Sequence, residues 1–243
     1  DYKFQSYDYN TNTTGMLNIA FKANPKNTYK FSSLLINSSN QSLDEYNGII
    51  NVFDNASNGG GFVKRTTFDK TSLLINQVLG NHKYGEKYEL DWGVAYNHVN
   101  NIIPDRRQNM LVPTDDNNAS GTKTVSDLAA SDNHRFYQEL VEDEVAANIT
   151  GTYLFSKNKE EEYKGKLTLG YSGRFKKVDF NATQFNFRIN RRVSQPVVSE
   201  NNLDAYFNQT NLVNNLYKIE TFRGDSDTPK ALDPQTYSGN QYI

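Results

Sequence analysis

Apolar and polar side chains alternate strictly along residues 86–98. The apolar positions of this segment are Tyr88, Leu90, Trp92, Val94 and Tyr96. The positions between them carry carboxylates, an amide and small residues, so a strand here would have one apolar and one polar face. Soluble sheets also have a wet face, but aromatic side chains at both ends of the apolar face are typical of strands in a transmembrane β-barrel.

Alternation of the same kind recurs along the chain and predicts three long hairpins. The extended segments are 15–23, 28–38, 62–79, 86–98, 144–155 and 163–175. Short turns at 24–27, 80–85 and 156–162 join these segments in pairs. The first turn has the strongest signal, because Pro25 fixes its own φ and the flanking Asn24 and Asn27 tolerate unusual backbone angles.

The connections between the hairpins are much longer than the turns within them. The predicted loops are 39–61, 100–133 and 176–240, all rich in Asn, Asp, Ser, Thr and Gly. Loops of this length are uncommon in compact soluble domains, whereas short turns on one side and long polar loops on the other are typical of outer-membrane barrels. We therefore predict an all-β fold, an antiparallel transmembrane β-barrel segment of about six strands.

Composition narrows the class of protein further. The 243 residues carry a net charge of −2 and contain no cysteine, and the mean hydropathy is −0.76. No run approaches the roughly 18 apolar residues of a membrane helix, but a barrel is compatible with this value because its lipid-facing residues alternate with polar ones. The near-neutral charge gives no support for a nucleic-acid partner, which would require a basic surface.

Both ends of the chain resemble the interior of a longer protein. Asp1-Tyr2-Lys3-Phe4 has the pattern of an extended segment, and Gln241-Tyr242-Ile243 has that of a strand about to begin. We therefore expect the chain to be one part of a barrel domain that spans residues 1–243 and continues beyond them. The expectation also follows from the edges, because unpaired strand edges are not tolerated in lipid.

Four stretches together carry a resemblance to a known family. They are residues 71–82, residues 88–96, Pro104-Asp105-Arg106-Arg107-Gln108, where the strand is expected to leave for its outer loop, and residues 232–242. This order of pieces resembles the barrel of TonB-dependent outer-membrane receptors over nearly the whole chain. The Pro-Asp-Arg-Arg piece is the most specific of the four, since the others are ordinary barrel sequence.

The resemblance implies a role in active transport across the bacterial outer membrane. Such receptors have a multi-pass barrel of about 22 strands closed by a plug. They bind a scarce small ligand, glycan or peptide with their outer loops and pass it through the lumen. The implied partners are the inner-membrane TonB complex, outer-membrane lipid and a surface lipoprotein. The plug, the segment that contacts TonB and the remaining strands are expected outside this chain.

The polar sides of the predicted strands supply the candidate lumen-facing residues. They are Glu89, Asp91, Asn97, Glu144, Asn148, Lys166 and Arg174. These side chains are expected to line a wetted path or to hold a plug through ion pairs. A specific contact with the ligand is a much less favoured role for them.

The predicted loops supply candidate ligand contacts, each with a structural alternative. Arg106 and Arg107 could bind an anionic ligand through their guanidinium groups, but bridging to neighbouring loop carboxylates is favoured. Tyr206, Phe207 and Tyr217 could stack on sugars or seal a ligand chamber, but anchoring a small folded cap is favoured. No cofactor or metal site is predicted, because the three histidines have neither the spacing nor the neighbouring carboxylate residues of a metal site.

Three other functions remain open at the level of sequence. A passive porin or an envelope-assembly barrel would keep the membrane wall, and a plug domain would eliminate both. A soluble all-β surface module that binds glycans would be extracted in buffer without detergent. An enzyme is the least favoured, because paired carboxylates in a barrel usually line the lumen and no nucleophile–base arrangement is present.

Overall fold

The computed structural model describes residues 2–48, 60–115, 117–118, 121–129, 131–157, 162–221 and 235–242. These residues form an all-β protein with one antiparallel sheet. Among them, no helix combines the length and the apolar character that crossing a membrane requires.

Six long strands make up most of the sheet. They are β1 (Tyr2–Asn24), β2 (Asn27–Gly48), β3 (Gly61–Tyr84), β4 (Tyr88–Pro113), β6 (His134–Lys157) and β7 (Tyr163–Ile189). The short elements are β5 (Lys123–Val125), a 3₁₀ helix (Leu203–Ala205), α1 (Gln209–Val213), β8 (Tyr217–Thr221) and β9 (Gln235–Tyr242). The strand order is β1-β2-β3-β4-β6-β7-β8, with β5 on β4 and β9 on β7, and within the described residues no pairing closes the sheet.

The antiparallel hairpins were predicted correctly, and their turns in part. The first turn is confirmed, because the Asn24 side chain accepts hydrogen bonds from the Lys26 amide and from the Asn27 side chain, both at 2.9 Å. The second turn lies at residues 85–87 rather than 80–85, since Gly85 is the residue with a positive φ of 64°. The predicted third turn, 156–162, begins too early, because β6 continues to Lys157, and residues 158–161 lie outside the described residues.

The strands run far into the predicted loops, so the predicted loop bounds are wrong at several ends. β2 continues to Gly48, β4 to Pro113 and β7 to Ile189. In these extensions both faces carry polar residues, and backbone hydrogen bonds hold the strands although hydrophobic alternation is lost. The connections that follow include residues 49–59 and 222–234, which lie outside the described residues.

A β-bulge in β4 corrects the prediction that residues 104–108 leave for an outer loop. Lys70 of β3 pairs with Ile102, but Phe68, two residues further, pairs with Asp105, so β4 contains one extra residue. The pairing with β6 shifts at the same place. Pro104 lies in the bulge, where a residue without a backbone N–H is tolerated. Beyond it the strand continues, and its odd and even positions exchange faces.

The register defines two faces of the sheet, because directly paired residues on neighbouring strands project to the same side. We call the side that carries Tyr88, Trp92 and Tyr96 the belt face. The opposite side, which carries Glu89 and Asp91, is the polar face.

The packed core lies at the loop end of the sheet. Residues 190–216, here called the cap, cover the belt face there. The buried apolar residues of the sheet and the cap form one cluster on this face, which consists of Phe62, Leu111, Val125, Ile189, Val198, Tyr206 and Tyr217. On the polar face a smaller cluster joins Val63 and Met110 to Leu128 of the loop before β6. Both faces are therefore covered at this end, while no described residue outside the sheet covers either face in the turn half.

Candidate functional site

An uncharged apolar belt crosses the belt face in the turn half of the six long strands. Its large exposed side chains are Leu17, Ile19, Phe21, Tyr29, Leu35, Val78, Tyr84, Tyr88, Val94, Tyr96, Val145, Ile149, Tyr153, Phe155, Leu167, Leu169, Tyr171 and Phe175. The polar members of the belt are Asn27, Ser33, Asn76 and His82, and among the described residues no Asp, Glu, Lys or Arg lies within it. The nearest charges are the Lys157–Glu86 ion pair at the turn end and Asp143 with Lys177 at the other.

The width of the belt matches the hydrocarbon layer of a membrane. On β4 it extends from Tyr88 to Tyr96, and on β6 from Val145 to Phe155. These stretches of nine and eleven residues equal the roughly 9–11 residues with which a tilted strand crosses a bilayer. Exposed apolar surfaces of this extent are typical of sites that contact a membrane or another protein.

Aromatic rings concentrate at the turn edge of the belt. Tyr88 stacks on Tyr153 with ring centroids 5.1 Å apart. The indole N–H of Trp92 donates to His82 Nε2 at 2.9 Å, and His82 Nδ1 donates in turn to Asn27 Oδ1 at 2.7 Å. The single tryptophan therefore has its polar group satisfied within the belt.

All seven predicted lumen-facing residues lie on the polar face. They are Glu89, Asp91, Asn97, Glu144, Asn148, Lys166 and Arg174. The structure thus brings together the whole set that the alternation indicated, on the side opposite to the belt. Whether this side encloses a lumen is a separate matter of function.

Neighbouring polar side chains on this face form hydrogen bonds and one ion pair with one another. Asn81 donates to Glu89 at 2.9 Å and to Asp91 at 2.7 Å. Asn97 donates to Glu144 at 2.9 Å, and the Arg174 guanidinium lies 3.7 Å from the same carboxylate. A hollow of about 210 Å³ opens beside Asp91. The polar face is therefore a wettable surface with both signs of charge.

Arg107 lies on the belt face, beyond the bulge, and is held in ion pairs. Its Nε donates to Asp105 at 2.7 Å, and Arg135 of β6 donates to the same carboxylate at 2.7 and 3.1 Å. Burial raises the pKa of Asp105, but the hydrogen bonds from Arg135 and Arg107 lower it by more, so its pKa lies below the ordinary value. The contacts of Arg107 fit the favoured alternative of a bridge to a carboxylate.

Arg106 lies on the polar face and has a different environment. Its guanidinium stacks over the Phe136 ring at 4.3 Å, and its buried Nε has no hydrogen-bond partner among the described residues. Burial, together with the neighbouring Arg65, lowers the pKa of Arg106. Two residues adjacent in sequence are thus separated by the sheet.

Tyr206, Phe207 and Tyr217 pack in the core of the cap. Tyr206 is 1% exposed and Tyr217 is 4% exposed, and the Tyr206 hydroxyl donates to Gln195 Oε1 at 2.6 Å. Burial raises the pKa of Tyr206 and of Tyr217, so both phenols are neutral. These contacts fit the favoured alternative of a folded cap and leave Tyr206 and Tyr217 little surface for a ligand.

The three histidines lie far apart in the sheet. His82 is in the belt, His98 pairs with Asp143 at 2.8 Å, and His134 begins β6. Within the described ranges, no group of three or more His, Asp or Glu side chains could hold a metal ion.

Sequence reasoning missed the surroundings of Arg106. Arg65, Gln108 and His134 lie in one row across β3, β4 and β6, next to Arg106 on the polar face. Only the register after the Pro104 bulge brings them together, and the bulge has no reliable signal in a single sequence.

Comparison with models of protein families, with curated proteins and with solved structures gave no match.

Proposed function

We propose that the chain forms part of the wall of a bacterial outer-membrane β-barrel that imports a ligand in the TonB-dependent manner. The belt face would contact lipid, and the polar face would line a water-filled interior. No covalent chemistry is involved. The wall would hold the protein in the membrane and shape the path of the ligand.

The uncharged belt is the observation that carries this proposal. A charge at the middle of a lipid-facing strand costs about 2–4 kcal/mol, which explains why every charged side chain in the turn half lies on the other face or at the edges. A soluble sheet with one wet face would instead bury its apolar face under a second layer. In the described residues, such a layer covers only the loop end.

The length of the strands favours an importer over a simple pore. The long strands have 22 to 27 residues, or about 70–90 Å at 3.3 Å per residue. At a tilt of about 45° the wall would rise about 50–60 Å, roughly twice the hydrocarbon thickness. The part of the wall that is taller than the hydrocarbon layer lies wholly on the loop side. There it can enclose a bulky ligand outside the membrane.

Spin labels on adjacent residues test the orientation of the wall. These 243 residues contain no cysteine, so Ile149→Cys and Asn148→Cys each add one labelling site here, and the unsubstituted full-length protein in lipid vesicles, treated with the same label, gives the background. Both side chains are exposed, on the belt and polar faces respectively. We expect the label at 149 to collide mainly with molecular oxygen, which concentrates in lipid, and the label at 148 mainly with a water-soluble nickel chelate.

Two outcomes would contradict the proposal. Equal access of the nickel chelate to both positions would mean that the belt face is in water. Complete extraction of the unlabelled protein in buffer without detergent would instead favour the soluble glycan-binding module.

A further inference from the structure

Two arginines on the polar face differ from the others in the structure. Of the eight arginines that it describes, five have a carboxylate oxygen within 4.0 Å. The other three are Arg65, Arg106 and Arg192, and Arg192 lies exposed in the cap. Arg65 and Arg106 are half-buried, and half-buried charges without a counter-charge are destabilising.

The sheet register places these two arginines beside each other. Arg65 pairs directly with Gln108, and Gln108 pairs directly with His134, which gives one row across three strands. Arg106 lies in the next row, paired with Thr67 on one side and with Phe136 on the other. It is therefore a diagonal neighbour of both Arg65 and His134.

The contacts of the two guanidinium groups leave hydrogen-bond donors unused. Gln108 Oε1 accepts from Arg65 Nε at 3.0 Å and from Nη2 at 2.6 Å, which fixes this side chain and leaves Nη1. Arg106 is fixed by its stack on Phe136, and its Nε has no partner among the described residues. Two immobilised guanidinium groups with free N–H donors have the chemistry that binds oxyanions in forks.

The nearby carboxylates Asp44 and Asp132 accept hydrogen bonds from neutral groups and form no ion pair with the two arginines. Asp44, which pairs with Arg65 across β2 and β3, accepts a hydrogen bond from Ser6 at 2.7 Å. Asp132 accepts from Ser126 Oγ at 2.6 Å and from the Ala129 amide at 3.0 Å. Neither forms an ion pair with Arg65 or Arg106 within 4.0 Å.

We propose that Arg65 and Arg106, with His134 beside them, bind a divalent oxyanion, a phosphate monoester group, on the polar face. The inference deepens the proposed function. It rests on that function in one respect, which is that the anion reaches the site from the interior of the barrel. The imported ligand would then carry such an ester group, held at the loop end of the wall.

His134 adds a proton-linked part to this site. The side chain is 6% exposed, its Nδ1 donates to the Ser131 carbonyl at 2.7 Å, and its buried Nε2 has no partner in the described part of the chain. The groups that face it are Arg65 from β3, Arg106 from β4, Asp132 from the preceding loop and the neutral Asn186 from β7. An anion would offset the two arginines, so His134 would take up a proton on binding.

Calorimetry with sulfate tests the site, because sulfate remains divalent over the whole useful pH range. The full-length protein in detergent is titrated with sodium sulfate at low ionic strength. We expect one site, about tenfold weaker binding in Arg65→Gln and in Arg106→Gln, and tighter binding at pH 5.5 than at pH 8. The pH effect should disappear in His134→Gln.

Matched variants separate this site from general charge effects. Arg192→Gln removes the same charge from an unpaired arginine in the cap and should leave binding within twofold. Arg106→Lys keeps the charge, so it covers the case in which Arg106→Gln fails to fold, and it should weaken binding by losing the fork. Absence of sulfate binding in the wild type, or binding as tight as that of the wild type in both the Arg65→Gln and the Arg106→Gln variants, would overturn the site.

A comparison of anions at pH 8 identifies the ester. Inorganic phosphate is also mostly divalent there, whereas nitrate is monovalent. Methyl phosphate, a monoester that is also mostly divalent at pH 8, should bind about as tightly as sulfate does, and its failure to bind would overturn the assignment to a phosphate monoester. Equal binding of nitrate would overturn the recognition of a divalent anion. None of these outcomes depends on the spin-label result, so this site and the membrane wall can fail separately.

Discussion

Arg106 and Arg107 are adjacent in sequence, but their side chains leave opposite faces of the sheet. Arg107 shares Asp105 with Arg135, whereas Arg106 lies next to another cation. Sequence alone could identify the pair as candidates for anion binding, but it could not distinguish them. The difference depends on the extra residue in β4, which sets the face for every residue beyond it.

The titration of His134 is the first prediction at this scale. Burial, and then the charges of Arg106 and Arg65, lower the pKa of His134 below its usual 6.5 against the opposing effects of Ser131 and Asp132. The ring is therefore expected to be neutral at pH 7. Because the unfolded chain would bind more protons near pH 6, this residue lowers stability as the pH falls below about 6.5. NMR of ¹⁵N-histidine-labelled protein in detergent measures the pKa directly.

The chain has three histidines, which makes the assignment simple. The signal that is missing in His134→Gln belongs to His134. A pKa at or above 6.5 for that signal in sulfate-free buffer would contradict the environment described here. Addition of sulfate should move the same pKa upward.

Side-chain alternation predicted the faces of the strands well and their ends poorly. In the belt, Val94 lies on the apolar face and Ala95 on the polar face, and the alternation in the sequence shows this difference. Farther along, Thr66 and Thr67 project to opposite faces that are both polar, and composition then gives no sign of a strand. The backbone hydrogen bonds that hold these extensions leave no trace in the pattern.

At the turn edge of the belt, the Trp92 ring of β4 lies close to the backbone of β3 at Gly80. This contact gives a prediction for the pairing of these two strands. The Trp92 indole lies directly over Gly80, where a Cβ atom would collide with it. Gly80→Ala should therefore displace the ring, break the Trp92–His82 hydrogen bond and cost about 1–3 kcal/mol. Trp92 is the single tryptophan of these 243 residues, so the difference between the fluorescence spectra of Gly80→Ala and of the parent protein reports the change.

Gly151→Ala is the matched control for this substitution. Gly151 lies on β6 in the same belt, and a Cβ atom built there meets no other atom within 4 Å. We expect its spectrum and stability to stay close to those of the parent protein. A similar small effect at both glycines would show that the indole does not occupy the described position.

At the scale of the whole molecule, ion conductance separates a plugged importer from an open pore. We expect the full-length protein to show no steady conductance in planar bilayers bathed in potassium chloride, because a plug would fill its lumen. Urea on one side should unfold the plug and open the pore reversibly. A steady conductance without urea would favour a passive porin. In that case a bulky thiol reagent should reduce the conductance of Asn148→Cys more than that of Ile149→Cys.

The order of the strands also has a consequence for how such a wall is built. Each long strand pairs with the next long strand along the chain, and only the three-residue β5 intervenes in the series. Pairing between chain neighbours closes short loops and has a low entropic cost. In each hairpin, strand pairing can therefore begin at the turn, and the hairpins can form in the order in which they are synthesised. A fault in one hairpin would delay the strands that follow it and leave the earlier ones already paired.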